Sequence, residues 1–170
     1  LPALKLPLEV HGVVAAAENL PDGNAFRPGD ILRTLSGKTV EVISTDAEGR
    51  LLLADALTFA VRQGVELLID IATLTGACAV ALGRGGSGVF ASDERARDLL
   101  LQAAADVGER VWPLPLWEEY REQLRSEHAD LKNTAGRWGA AINAALFLRE
   151  FTEGRPWLHL DIAGPAWAEQ

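Results

Sequence analysis

Residues 50–73 constrain the fold more than any other part of the chain. The run RLLLADALTFAVR (residues 50–62) predicts a helix that is apolar almost all round. Leu51, Leu52, Leu53, Leu57, Phe59 and Val61 cannot share one stripe, so such a helix is expected to be buried on several sides. Gly64 suits the position just past its C-terminus. The next run, ELLIDIAT (residues 66–73), is continuous and apolar except for Asp70, and predicts a central strand covered on both faces. A buried helix leading directly into a buried strand belongs to a layered α/β fold rather than to a bundle or a sandwich of sheets.

The remaining chain alternates in the same way. Residues 8–17 (LEVHGVVAAA) are short, apolar and carry the β-branched Val10, Val13 and Val14, which predicts a buried strand with His11 as a satisfied strand histidine. Pro21 to Asp30 reads as loop. Ile31–Leu35 and Thr39–Ile43 flank the turn residues Ser36, Gly37 and Lys38, a hairpin pattern. Beyond Gly76 lie an apolar stretch, a Gly-rich turn from Gly83 to Gly88, and a short strand Val89–Ala91. Ser92 and Asp93 cap a helix reaching about Val107. Val111–Leu114 predicts a strand, Trp117–Arg125 a helix, Ala129–Gly139 a polar loop, residues 140–151 a helix, and Trp157–Ile162 a last strand. The expected architecture is an α/β/α sandwich: one domain with a mixed, largely parallel sheet covered by helices on both faces.

Charge and composition exclude several functions. Asp and Glu number 24 against 16 Lys and Arg, a net charge of −8, so no basic face for nucleic acid is expected. No apolar run reaches the roughly 18 residues of a membrane span. The single cysteine, Cys78, forbids a disulfide within the chain and suits a reducing, cytoplasmic compartment. The chain has no methionine and enters an apolar stretch within a few residues of Leu1, so its true start is expected upstream.

The segment Ser44-Thr45-Asp46-Ala47-Glu48-Gly49-Arg50 carries the chemistry. It joins a strand to the apolar helix, where α/β sheets place their sites. In an extended turn the carboxylates of Asp46 and Glu48 can converge on one divalent cation. Arg50, in the first turn of the helix, lies beside free backbone N–H groups and makes an anion site. A metal next to an anion site can polarise a carbonyl and handle a water nucleophile. A second reading stays open on spacing alone. Thr45-x-x-Glu48 is also a capping box, with Asp46 favouring the helix dipole and Arg50 a solvated helix residue.

The stretch TDAEGRLLLADAL closely resembles the signature of the leucyl aminopeptidase family. So do ENLPDGNAFRPGDILRTLSGKTVEV, DIATLTGACAVALG, GERVWPLPLWEEYREQLRSEHADLKN and WLHLDIAGPAW, in the same order and over nearly the whole chain. The resemblance implies two divalent cations, Zn2+ or Mn2+, with Asp46 and Glu48 as ligands. It implies a bicarbonate ion held by Arg50 as general base. Thr73, Leu74 and Gly76, with Ala47, would line the site of the substrate's N-terminal residue. Peptides or dipeptides with a free N-terminus would be the substrates, and a cytoplasmic homo-hexamer the assembly. The chain also departs from the family. A lysine and two further aspartates that complete the metal shell, and a second lysine that polarises the carbonyl, have no counterpart here, since Lys5 and Asp22 stand in the wrong context. Ser44 replaces the usual Asn, and the C-terminal strand and helix of the family are not found. Residues 1–170 thus read as part of a catalytic domain, without the family's N-terminal domain and the first part of the catalytic one. The alternative is a truncated, non-catalytic relative that keeps the fold and the oligomer surface.

Other features read as structural. Gly83-Arg84-Gly85-Gly86-Ser87-Gly88 fits G-x-G-x-x-G but leads into a strand, so it reads as a turn. Cys78 has no nearby His in sequence and reads as a packed thiol. His11, His128 and His159 lack metal-ligand spacing. Asp70 and Asp161, in apolar strands, must be paired or hydrogen-bonded; loop N–H groups are the first partners expected, with a role behind the metal ligands as a second option for Asp70. Arg84, Lys132 and Arg137 read as surface residues. Trp112, Trp117 and Trp138 read as core or subunit contact rather than a nucleic-acid stacking platform.

Overall fold

The computed structural model describes residues 5–167, so the expected domain span of 1–170 extends past it at both ends. Its strands are β1 (Ile31–Arg33), β2 (Thr39–Glu41), β3 (Leu68–Ala72), β4 (Ser87–Ala91), β5 (Val111–Pro113), β6 (Leu131–Lys132) and β7 (Trp157–Asp161). Its helices are α1 (Glu48–Arg62), α2 (Gly76–Leu82), α3 (Glu94–Val107) and α4 (Ala140–Arg149). No helix among the described residues is long and apolar enough to cross a membrane.

The α/β class holds, with the strands divided between two mixed sheets. The small one runs β1-β2-β6 and the larger β3-β7-β4-β5. β1 and β2 form the expected hairpin, antiparallel in the register Ile31↔Glu41, with Gly37 at φ 91° in the turn. In the larger sheet β3 lies parallel to β7 and β4 parallel to β5, while β4 and β7 are antiparallel. Both faces of β4 are covered. A side chain at Gly88 would meet Cys78 of α2, Phe90 on that same face joins the core cluster with α4, and α3 packs against β4 and β5.

Five local expectations are corrected. β3 is an edge strand among the described residues, not a central one, and Ile69 and Ile71 are 53% and 59% exposed. Residues 8–17 form no strand: no described strand pairs with them, and His11 stands exposed with Nε2 3.1 Å from Glu9 Oε1. An extended apolar run becomes a strand only when a ladder satisfies its backbone. The buried residues of α1 are Arg50, Ala54, Leu57, Thr58 and Val61, a single stripe, while Leu51, Leu53 and Ala60 are only partly buried against the core; α4 and β3 are the principal elements packed on the helix. Residues Glu118–Leu124 make a 3-10 rather than an α-helix. The polar loop contains β6, which extends the small sheet in parallel with Val40↔Leu131.

Helix ends follow their capping chemistry. Gly64 (φ 78°) donates to Val61 O at the end of α1, as expected. Asp93 accepts from Ala96 N at 2.7 Å and opens α3. The core lies between α1, α4 and the larger sheet, around Leu57, Phe90, Leu146, Phe147, Phe151 and Trp157. Trp112, Trp117 and Trp138 are not part of it, at 65%, 51% and 77% exposure. Trp117 meets the ring of Tyr120, with centroids 5.9 Å apart, and Trp138 carries the Arg137 guanidinium 5.3 Å from its ring centroid.

Candidate active site

Asp46 and Ala47 lie in a 3-10 turn, Thr45–Ala47, and Glu48 opens α1. The capping box is not formed. Ser44 caps the turn, its Oγ accepting from Asp46 N at 3.3 Å, and Ala47, the residue before α1, gives that helix no side-chain cap. The segment is shaped instead from a distance by Asn133, which follows β6. Asn133 is fully buried. Its Oδ1 accepts from Ile43 N (2.8 Å) and Ser44 N (3.3 Å), and its Nδ2 donates to Ser44 O (2.6 Å) and Ala47 O (3.4 Å).

Arg50 is 6% exposed, so the reading of it as a solvated helix residue is overturned. Nη1 donates to the Asn133 carbonyl at 2.8 Å, while Nε is buried without a partner. Burial lowers the guanidinium to about 10, against the opposing charges of Asp161 and Glu48, and leaves it a cation at neutral pH. A buried cation with an unsatisfied N–H has the chemistry of an anion-binding group.

Asp161 provides the facing charge and organises the loop from β3 to α2. Its Oδ1 accepts from Leu74 N (3.2 Å), Thr75 N (3.4 Å) and Ala163 N (3.2 Å), the loop N–H partners expected of it. Its Oδ2 accepts from Thr75 Oγ1 at 2.6 Å, and that oxygen in turn accepts from Cys78 N and caps α2. Thr73 and Gly76 flank this loop and are exposed. Leu74 reaches across to α1: a side chain at Gly49 would touch its Cδ1 at 3.7 Å. The tertiary structure thus brings Glu48, Gly49 and Arg50 against the Thr73–Gly76 loop.

Asp70 is a different case. Its oxygens meet His159 Nδ1 at 2.5 Å and Trp157 Nε1 at 2.6 Å, so it pairs with side chains of β7 and not with loop N–H groups. Cys78 is the packed thiol expected, 1% exposed, and burial followed by the Asp161 charge pushes it up to about 11.

Asp46 is exposed and Glu48 half-buried, and neither carboxylate is committed to a hydrogen bond or ion pair among the described residues. Two hard-oxygen donors two residues apart, with no hydrogen bond or ion pair of their own among the described residues, suit a divalent cation. They do not complete a shell: no group of three or more His, Cys, Asp or Glu among the described residues could hold a metal ion. The bonds of Asn133 to Arg50 and of Thr75 to Asp161 escape sequence reasoning, because the partners lie 83 and 86 residues apart and no local pattern marks them.

This is an α/β-fold protein with an acidic turn and a buried guanidinium at a strand-to-helix connection. All of residues 1–170 match the catalytic domain of the cytosol aminopeptidase family. A probable cytosol aminopeptidase of Histophilus somni (strain 129Pt) is 60% identical over 169 residues, covering 99% of this chain and 34% of the relative. The cytosol aminopeptidase of Haemophilus influenzae strain Rd is 59% identical over 98% of this chain and 34% of its own length. A mutant of tomato leucine aminopeptidase superposes with a TM-score of 0.88 at 49% identity, over 91% of this chain and 31% of that one. The chain belongs to the cytosol aminopeptidase family and spans about a third of the length of these relatives.

Proposed function

We propose that the protein of which this chain forms part is a metal-dependent aminopeptidase, hydrolysing the N-terminal peptide bond of peptides or dipeptides. One observation carries the reading: two uncommitted carboxylates, Asp46 and Glu48, stand within four residues of a buried arginine whose Nε has no partner. Family membership supports the reaction class, and the names of the relatives support peptides as substrates and a cytoplasmic location.

Asp46 and Glu48 would contribute ligands for two cations, Zn2+ or Mn2+, with the remaining ligands supplied elsewhere in the full-length protein. Bound there, the cations supply Lewis acidity toward the scissile carbonyl and a water of lowered pKa. Arg50 Nε is the group that would hold bicarbonate, because it is a buried donor with nothing to donate to. Ala47, Thr73, Leu74 and Gly76 would line the position of the substrate's first residue, where Asp161 fixes the loop backbone. Assembly as a homo-oligomer, a hexamer by resemblance to the family, belongs to the same proposal.

The test uses full-length protein loaded with Mn2+ or Zn2+ and a leucine anilide. Turnover is expected. Asp46→Asn with Glu48→Gln should lower both metal uptake and turnover by more than the roughly 10–100-fold that losing an outer-shell partner costs. A metal-loaded, full-length protein without turnover would replace this reading by the non-catalytic relative. Undiminished uptake in the double variant would remove these two residues from the ligand set.

A further inference from the structure

We propose that Asn133 is a positioning residue for this site: one side chain holds the turn that bears Asp46 and Glu48, and its main-chain carbonyl holds Arg50. The inference rests on the metal reading above. A primary amide offers two donors and two acceptor positions, and a peptide unit one of each. Asn133 uses all of them. The side chain makes the four bonds to Ile43, Ser44 and Ala47 already described. Its backbone N donates to Glu41 O at 2.9 Å, and its backbone O accepts from Arg50 Nη1 at 2.8 Å.

The orientation of the amide follows from its partners. Two N–H groups face one end and two carbonyls the other, so only Asn fits as drawn. An aspartate would set a carboxylate against two carbonyls. A glutamine would carry one methylene too many, and a serine would be too short to reach both sides. β6 exists, on this view, to deliver the residue: its two-residue pairing with β2 ends at the peptide that Asn133 continues. Holding Nη1 on a carbonyl also fixes the guanidinium and leaves Nε for another ligand. Metal donors and anion donor are therefore indexed to one residue, the first through its side chain and the second through its main-chain carbonyl.

A merely structural staple would lower stability without touching the site. The distinguishing experiment compares full-length Asn133→Asp and Asn133→Ser with Thr152→Ala, whose buried hydroxyl donates to Arg149 O at the far end of α4. Mn2+ titration and leucine-anilide kinetics are run where every variant is folded. Both Asn133 variants should bind Mn2+ about tenfold more weakly or worse and lose kcat more than they raise KM. Thr152→Ala should lose Tm and keep the wild-type Mn2+ affinity and kcat. Asn133 variants with wild-type affinity and kcat overturn the proposal. Should they not fold, the unmutated protein decides: Mn2+ should slow hydrogen exchange at the Ile43 and Ser44 amides, and unchanged exchange overturns the proposal. A wild type that takes up no Mn2+ overturns the metal reading itself, and any catalytic purpose for the clamp with it.

Discussion

Arg50 shows how one side chain can be stable and still incomplete. Its burial is unfavourable to the charged form and is only partly offset by Asp161 and Glu48. One N–H is satisfied by Asn133, while Nε is not. Leaving a buried donor unpaired costs about 1–3 kcal/mol, so an anion that supplies the missing acceptor should stabilise the fold. Bicarbonate at about 100 times its dissociation constant should add about 2.7 kcal/mol, read as a higher Tm at fixed pH and ionic strength. Arg50→Met should lose that response. A wild-type Tm indifferent to bicarbonate would mean that the guanidinium holds no such ion. The identity of the residue was legible in TDAEGR. Its burial was not, since a charged residue in the first turn of a helix is solvated unless a distant carbonyl and carboxylate close over it.

The elements meet through contacts that leave little room. α2 crosses β4 at Gly88, where an added Cβ would lie 2.6 Å from Cys78 Sγ and 3.1 Å from Leu114 Cδ1. Gly88→Ala should therefore destabilise by about 1–3 kcal/mol in urea unfolding. Adding Cys78→Ala should recover part of that loss, with a coupling of about 0.5–3 kcal/mol, whereas strictly additive effects would place the clash elsewhere. Helices, hairpin and caps were legible because their signals are local: Asp93, Gly64 and Gly37 act on neighbours within four residues. Strand position was not. An apolar run such as 66–73 looks the same at the edge of a sheet as at its centre. A pairing two residues long, like β6, leaves no periodicity to detect.

At the scale of the whole molecule, Glu150 ties three parts together. Its carboxylate accepts from Lys38 Nζ in the hairpin turn (2.8 Å) and from Arg121 Nε in the 3-10 helix (2.5 Å), and its own position ends α4. Burial raises the carboxyl, but these two cationic donors outweigh it and hold the group below the ordinary glutamate value. A depressed folded-state value means the contribution is fully present above the unfolded pKa and is lost as pH falls through the folded one. Urea unfolding of wild type and Glu150→Gln should therefore differ most near about pH 7 and converge near about pH 3. A gap independent of pH would show that the carboxylate charge does not join these parts.

The amino-acid sequence by itself determined the α/β class, the succession of helices and turns, the family, and which residue types stand at the acidic turn, since all of these are written in patterns a few residues long. Tertiary structure alone decided that Ser44 and Asn133 rather than Thr45 shape that turn, that the charge of Asp161 acts on Arg50, that Asp70 pairs with His159 and Trp157, and that β3 lies at an edge among the described residues. The physical reason is shared by the buried polar contacts among them. A buried polar group must find a partner, but chain separation does not limit which one. The bonds from Asn133 to Ser44 and from Thr75 to Asp161 close over 89 and 86 residues, a distance at which only packing chooses the match.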